Sequence, residues 1–311
     1  MQATIRYGKR QVALYRTYAA PLTGLTPIPE SAFTGRRNTL FALEVDVEVL
    51  GDNFLPAYTQ GDNSHVVATD SMKNFVLQQA LVYDGATLAG FFAFLGGQFL
   101  ATYPQMMGLR LSGREQPFSA AVVPDGAGTF GPSDKLFHRR HDEYAYAALD
   151  FTRVGDRVTV SAHECGVLGL QLIKLTGSAF TSFVRDGFTT LPERGDRPLF
   201  IYLDVTWRYG AVDDLLATDH GRYVAAEQLR DLVGVVFHEF VSLSIQHLVY
   251  EMGERILARF PQLAAVSFAA QNRLWDTAAV SETDSAVKVY CDPHPPYGAI
   301  SLTLAREAGG R

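Results

Sequence analysis

The sequence predicts an α+β fold made of two similar halves, and three observations predict it. Two stretches carry large apolar residues at every second position. Phe41, Leu43, Val45, Val47 and Val49 alternate with Ala42, Glu44, Asp46 and Glu48, and Leu199, Ile201, Leu203, Val205 and Trp207 alternate with Phe200, Tyr202, Asp204, Thr206 and Arg208. A period of two over this length reads as a strand with one face buried. Each stretch is followed by a pair of segments with helical periodicity. A proline, Pro104 or Pro261, closes the second member of each pair, because proline has no N–H to continue the helix. The halves 1–153 and 154–311 therefore share the order strand, strand, helix, helix, strand, strand.

In the first half, strands are expected at about 4–18 and 39–50. A helix at about 70–83 carries Met72, Phe75, Val76 and Ala80 at helical spacing, with Asp70 or Ser71 expected to cap its first-turn amides. The next helix, about 87–102, sets Leu88, Phe91, Phe92, Leu95 and Phe99 on one face. Strands near 106–123 and 142–153 follow, separated by the turn signals Pro124-Asp125-Gly126 and Gly131-Pro132-Ser133. The second half repeats the plan, with strands at about 157–175 and 198–209, helices near 222–240 and 243–260, and strands near 263–273 and 297–305. An antiparallel four-stranded sheet with two helices on one face has exposed edges. Pairing those edges with neighbouring copies until a barrel closes removes them, so the architecture points to an oligomer.

Bulk composition narrows the function. At 311 residues, 47% apolar and 12% aromatic, the chain has ample material for two well-formed cores. A net charge of -6 gives no electrostatic reason to bind nucleic acid. Cys165 and Cys291 are too few for a disulfide framework, which points to a reducing cytoplasm. Residues 1–6 show no signal peptide, and glycines break the longest apolar runs, so neither export nor a membrane span is expected. His163-Glu164-Cys165, His238-Glu239 and His138-Arg139-Arg140-His141 hold metal-ligand residue types, but none has a spacing that sets two imidazoles on one helical face. Nucleotide-binding fingerprints are absent as well. An enzyme working on a small molecule is the expectation, with neither a catalytic metal nor a nucleotide cofactor supported.

Several polar positions carry candidate chemistry. Lys9 lies in the first strand; once desolvated, its amine serves as a base near neutral pH, with the Thr69 hydroxyl relaying its proton. Phe180, in a turn-rich loop, offers a flat π face, and Arg197, at the loop's end, offers a planar fork of donors; together they suit a flat heteroaromatic anion. Gln246, at a helix start, has an amide that donates and accepts at once against the lactam edge of a purine. Asn272, at a strand end, is either a turn former or a holder of a small polar molecule.

Taken together, Arg6-Tyr7-Gly8-Lys9, Asp62-Asn63-Ser64 with Val67-Ala68-Thr69-Asp70-Ser71, the span from Phe180 to Arg197, Ile245-Gln246, Gln271-Asn272-Arg273 and Pro295-Pro296-Tyr297-Gly298 resemble bacterial urate oxidases over nearly the whole chain. The resemblance implies tandem tunnelling-fold repeats assembling into β-barrels around a tunnel, as a homotetramer with sites shared between subunits. It implies that Arg197 and Gln246 clamp the pyrimidine side of urate under a stacked Phe180. The amides of Thr69 and Ile245 or Asp70 hold the other edge, and Thr69 and Asp70 come from the neighbouring subunit. Asn272 holds dioxygen and later water, and Lys9 and Thr69 move protons. The implied reaction converts urate, dioxygen and water into 5-hydroxyisourate and hydrogen peroxide. Leu274 departs from the pattern, since many members of that family carry a histidine there. His247 and His294 do not match the motif, and a water held by Thr69 and Asn272 is the simpler replacement. A related tunnelling-fold enzyme acting on pterins or other purines, or a non-catalytic oligomeric purine-binding protein, remains open as an alternative.

Overall fold

The computed structural model describes residues 4–126, 128–141 and 143–307. The chain is α+β with antiparallel pairing. Its strands are β1 (Arg6–Thr17), β2 (Leu40–Leu50), β3 (Gly108–Glu115), β4 (Phe118–Pro124), β5 (Phe130–Arg139), β6 (Tyr144–Val154), β7 (Arg157–Lys174), β8 (Leu199–Tyr209), β9 (Leu263–Asn272), β10 (Asp276–Val280), β11 (Lys288–Cys291) and β12 (Gly298–Ala305). The helices are α1 (Leu55–Thr59), α2 (Thr69–Val82), α3 (Leu88–Thr102), α4 (Val212–Leu216), α5 (Ala226–Glu239) and α6 (Ile245–Arg259), with a 3-10 turn at Asp52–Phe54. Among the described residues, no helix is long and apolar enough to cross a membrane.

Two compact units emerge, and they exchange segments relative to the halves expected from the sequence. One comprises Met1–Pro27, Phe33–Gly166 and Arg208–Ala225; the other comprises Ile28–Ala32, Val167–Trp207 and Ala226–Arg311. In the first, the hydrogen-bonded order is β1-β2-β3-β6 and then the start of β7. β2 lies antiparallel between β1 and β3, and its alternation is realised as expected: Phe41, Leu43, Val45, Val47 and Val49 are buried under the helices. Its acidic face is ion-paired, Glu44 with Arg114 and Glu48 with Arg10. α2 packs on β1, and α3 on β3 and β6. Phe91, Phe92, Leu95 and Phe99 of α3 are all but inaccessible, and each such side chain contributes roughly 1.5–3 kcal/mol on leaving water.

In the second unit the order is the end of β7, then β8, β9 and β12, with β9 and β12 antiparallel. α6 packs on β9 and β12, and α5 packs on α6. Ser244 caps α6 by accepting from His247 N–H at 3.1 Å. Three features differ from expectation. The stretch read as one strand near 106–123 is broken into β3 and β4, and β4 pairs with β5 in a separate ribbon. The Gly131-Pro132-Ser133 turn signal lies inside β5, where Pro132 is tolerated because a two-stranded ribbon leaves edges that need no N–H. A second ribbon, β10–β11, occupies the stretch between β9 and β12 for which no strand was expected.

Candidate active site

The expected site residues fall in two sets, one on each unit. On the first unit, β1 is interrupted by a bulge immediately after Lys9, which lies opposite Val47 in the ladder. The bulge is held by Gln11, whose φ is 58° and whose N–H donates to Asp46 Oδ1 at 2.6 Å. Bulges of this kind re-aim a side chain locally, and Lys9 is half-buried there. The residue before it must be glycine: a Cβ on Gly8 meets the carbonyl oxygen of Val47 at 1.8 Å. One residue earlier, the Tyr7 hydroxyl accepts from Val67 N–H at 3.1 Å, and its ring meets Phe54 edge-on at 5.1 Å. Burial raises the Tyr7 pKa, keeping the phenol neutral in this contact. Tyr7 thereby fastens the approach to α2, two residues before Thr69, to the strand that carries Lys9.

The cap expected from Asp70 or Ser71 is not formed. α2 begins at Thr69 with Ala68 as its N-cap and has no side-chain cap. Asp70 lies inside the first turn and reaches forward instead, accepting from Lys73 at 2.6 Å and Asn74 at 3.1 Å. Its pKa is lowered first by the Lys73 hydrogen bond and then by the Lys73 charge, with the charge of Lys9 the smallest contribution. The first-turn amides of α2 are thus left without a side-chain acceptor, in a place where the helix dipole favours an anion.

On the second unit, Phe180 and Arg197 belong to one closed loop. Phe180 exchanges main-chain hydrogen bonds with Arg194 at 2.8 and 3.0 Å, and Arg197 N–H donates to Ser178 O at 2.8 Å. Asp196 staples the loop's base, accepting from Thr176 Oγ1 at 2.5 Å and Gly177 N–H at 2.7 Å; the Thr176 bond, first among its partners, holds the carboxyl below its ordinary pKa. The Arg197 guanidinium carbon lies 5.4 Å from the centre of the Phe180 ring, and Phe183 stacks on Phe180 at 4.9 Å. A parallel bridge between Ser178 and Ser242 joins this loop to the segment leading into α6, so Ile245 and Gln246 are tied to the same neighbourhood. Ile245 is buried and Gln246 exposed. Arg273 N–H donates to Phe200 O at 2.8 Å, which anchors the end of β9, and hence Asn272, three residues along from Arg197.

The electrostatics of this set are unbalanced. Arg197 Nε and Asn272 Oδ1 are buried with no hydrogen-bond partner among the described residues. Burial, and then the charge of Arg194, lowers the Arg197 pKa. A guanidinium that is desolvated, beside another cation and lacking an acceptor is poised for an anion from outside the chain. Of the two histidines considered for the missing relay, His247 lies 3.8 Å from Glu251 and edge-on to Phe240, and His294 is exposed. Leu274 is half-buried. No group of three or more His, Cys, Asp and Glu side chains suited to a metal occurs among the described residues. Sequence reasoning assigned no role to Tyr7, Asp196, Ser178, Ser242 or Arg273. All five act through main-chain bonds or long-range contacts that leave no periodic signal.

Comparison with known proteins places these residues in a family. The family model described as Uricase matches residues 5–149 and 163–301. The uricase of Halalkalicoccus jeotgali is 47% identical over 302 residues, covering 97% of this chain and 98% of that protein. The uric acid degradation bifunctional protein of Bacillus subtilis is 46% identical over 307 residues, and the match spans 99% of this chain but 62% of that longer protein. Among solved structures, the urate oxidase of Bacillus sp. TB-90 superposes with a TM-score of 0.94 at 44% identity, covering 97% of this chain and 100% of that one.

Proposed function

The chain belongs to the uricase family, and from that premise we propose that it oxidises urate with dioxygen and water to 5-hydroxyisourate and hydrogen peroxide, without a metal or organic cofactor. The observation that carries this reading is the buried, acceptor-less Arg197 Nε beside the Phe180 ring. Urate supplies what this pair lacks, a flat π system with anionic lactam oxygens. Arg197 and Gln246 clamp the pyrimidine side, Phe180 stacks on the ring, and the first-turn amides of Thr69 and Ile245 or Asp70 hold the remaining edge. Asn272, whose Oδ1 is likewise unpartnered, holds dioxygen above the ring and later the attacking water.

The chemistry asks little covalent work of the protein. Lys9 and Thr69 remove a proton, leaving an electron-rich urate dianion that itself reduces dioxygen. Two electrons pass to oxygen, which leaves as hydrogen peroxide with two protons, and water delivers the hydroxyl to the ring. Positioning and proton removal are therefore the protein's contributions. A water between Thr69 and Asn272 takes the place of a relay histidine at Leu274. The two sets of residues meet across a subunit boundary in a homotetramer of tunnelling-fold repeats, with Lys9, Thr69 and Asp70 from one subunit and Phe180, Arg197, Ile245, Gln246 and Asn272 from its neighbour. The setting is the cytoplasm, with neither nucleic acid nor membrane as partner.

Incubation with urate under nitrogen and then air tests the reaction. The ultraviolet band of urate should persist until oxygen is admitted and then decay, with one peroxide formed per urate lost. Decay without oxygen or without peroxide overturns the proposal, and persistence of the band in air leaves a binding protein as the better reading.

A further inference from the structure

The ladder between β9 and β12 ends at the pair Asn272 and Gly298, so nothing in the sheet holds the chain beyond Asn272 on that side. Arg273 does. Its N–H reaches across to Phe200 O at 2.8 Å, and its terminal nitrogen donates back to Gln271 Oε1 at 2.7 Å. Its guanidinium carbon lies 3.5 Å from the centre of the Tyr297 ring and 4.2 Å from that of Tyr202. Two aromatic rings and one hydrogen bond therefore grip the guanidinium, whose Nε is buried without a partner among the described residues, while the main-chain N–H anchors the residue itself. Successive strand residues point to opposite faces, so Arg273 projects away from the side on which Asn272 lies. Tyr297 immediately precedes Gly298, the ladder partner of Asn272. Arg273 thus fixes both the end of β9 and the turn that enters β12.

We propose that Arg273 is a positioning residue for the reaction, clamped between Tyr202 and Tyr297 so that the Asn272 carboxamide keeps a fixed place over the ring. This inference rests on the role proposed above for Asn272. It makes no contact with urate, so its effect falls on the step that uses oxygen. A lysine in its place keeps the charge but loses the flat group that both rings cover.

The test is steady-state kinetics with urate and oxygen varied separately, on the intact oligomer, for Arg273→Ala, Arg273→Lys, Asn272→Ala and the Arg273→Ala/Asn272→Ala double variant. Arg273→Ala should lower kcat about tenfold and raise the KM for oxygen, while the KM for urate stays within about twofold. Arg273→Lys should recover little of the loss. In the Asn272→Ala background, removing Arg273 should cost less than about twofold more, because the group it positions is already gone. Should Arg273→Ala not fold, Tyr297→Leu removes the nearer ring and should show the same oxygen-specific loss, with Tyr297→Phe, which keeps the ring, near the parent. A loss in Arg273→Ala that multiplies fully with that of Asn272→Ala, or a parent-like kcat and oxygen KM, overturns the inference. Absence of urate oxidation by the unsubstituted protein would instead sink the proposed function.

Discussion

Replacing Arg197 by methionine should separate affinity from stability, because the structure makes the guanidinium costly to the folded chain and useful only to a ligand. Its Nε is buried with no acceptor, and an unsatisfied buried polar group costs about 1–3 kcal/mol. The opposing term is its attraction to the Phe180 ring at 5.4 Å, about 0.5–2 kcal/mol for a desolvated cation. The main-chain bond from residue 197 to Ser178 O survives any side-chain change, and methionine keeps an unbranched stem over the ring. The two terms nearly cancel, so folding stability should change by about 1 kcal/mol or less in either direction. Binding has no such cancellation. Two charge-assisted hydrogen bonds to urate, at about 1.5–3 kcal/mol each, correspond to a loss of at least about a hundredfold in affinity. Equilibrium titration with urate under nitrogen, alongside denaturant unfolding, measures both quantities on one sample. Affinity within about threefold of the parent, or a stability loss of several kcal/mol, would refute the reasoning.

Three other substitutions probe the remaining parts. Lys9→Met should reduce turnover far more than urate affinity, since a lost base acts on the chemical step; near-normal turnover shows that another group is the base. Gly8→Ala places a Cβ 1.8 Å from Val47 O, so β1 must shift, and destabilisation by at least about 2 kcal/mol is expected in denaturant unfolding; a parent-like midpoint contradicts the close approach. His163, whose Nε2 accepts from Tyr209 N–H at 3.0 Å, has its pKa lowered chiefly by burial. The unfolded chain therefore takes up this proton first. Stability from a neutral His163 is complete above its ordinary pKa of 6.5 and is lost as pH falls through the lower folded value. His163→Gln should flatten the fall of the thermal midpoint in that window, and an unaltered slope argues against the assignment.

The parts of the fold that sequence reveals are those with one wet and one dry face. β2 and β8 alternate because helices cover one side of them, and α6 is periodic for the same reason. The β10–β11 ribbon was missed because almost all its side chains are exposed, which leaves no in-and-out pattern to read. The Gly131-Pro132-Ser133 signal misled because its residues have turn chemistry while the partner strand supplies the actual constraint. At α2, a helix beginning at Thr69 rather than after it turned Asp70 from an expected cap into a forward partner of Lys73. The site residues themselves were named from resemblance and from side-chain chemistry. What holds them was not legible: Tyr7 reaches Val67 across sixty positions, and Ser178 meets Ser242 across sixty-four, as the residue numbers give. Neither contact follows from local pattern, because each is set by how distant segments pack.

On the proposed reading, two sets of residues borne on different units make one site only when two subunits meet. Mixing an inactive Thr69→Ala protein with an inactive Arg197→Met protein, followed by subunit exchange, tests it directly. A site drawing Thr69 from one subunit and Arg197 from its neighbour is intact when the first carries only the Arg197 change and the second only the Thr69 change. Random exchange of equal amounts makes each condition true half the time, so about a quarter of the sites, and about a quarter of the parent activity, should return. No recovery despite demonstrated hetero-oligomers would overturn the shared site and place all of its residues within a single chain.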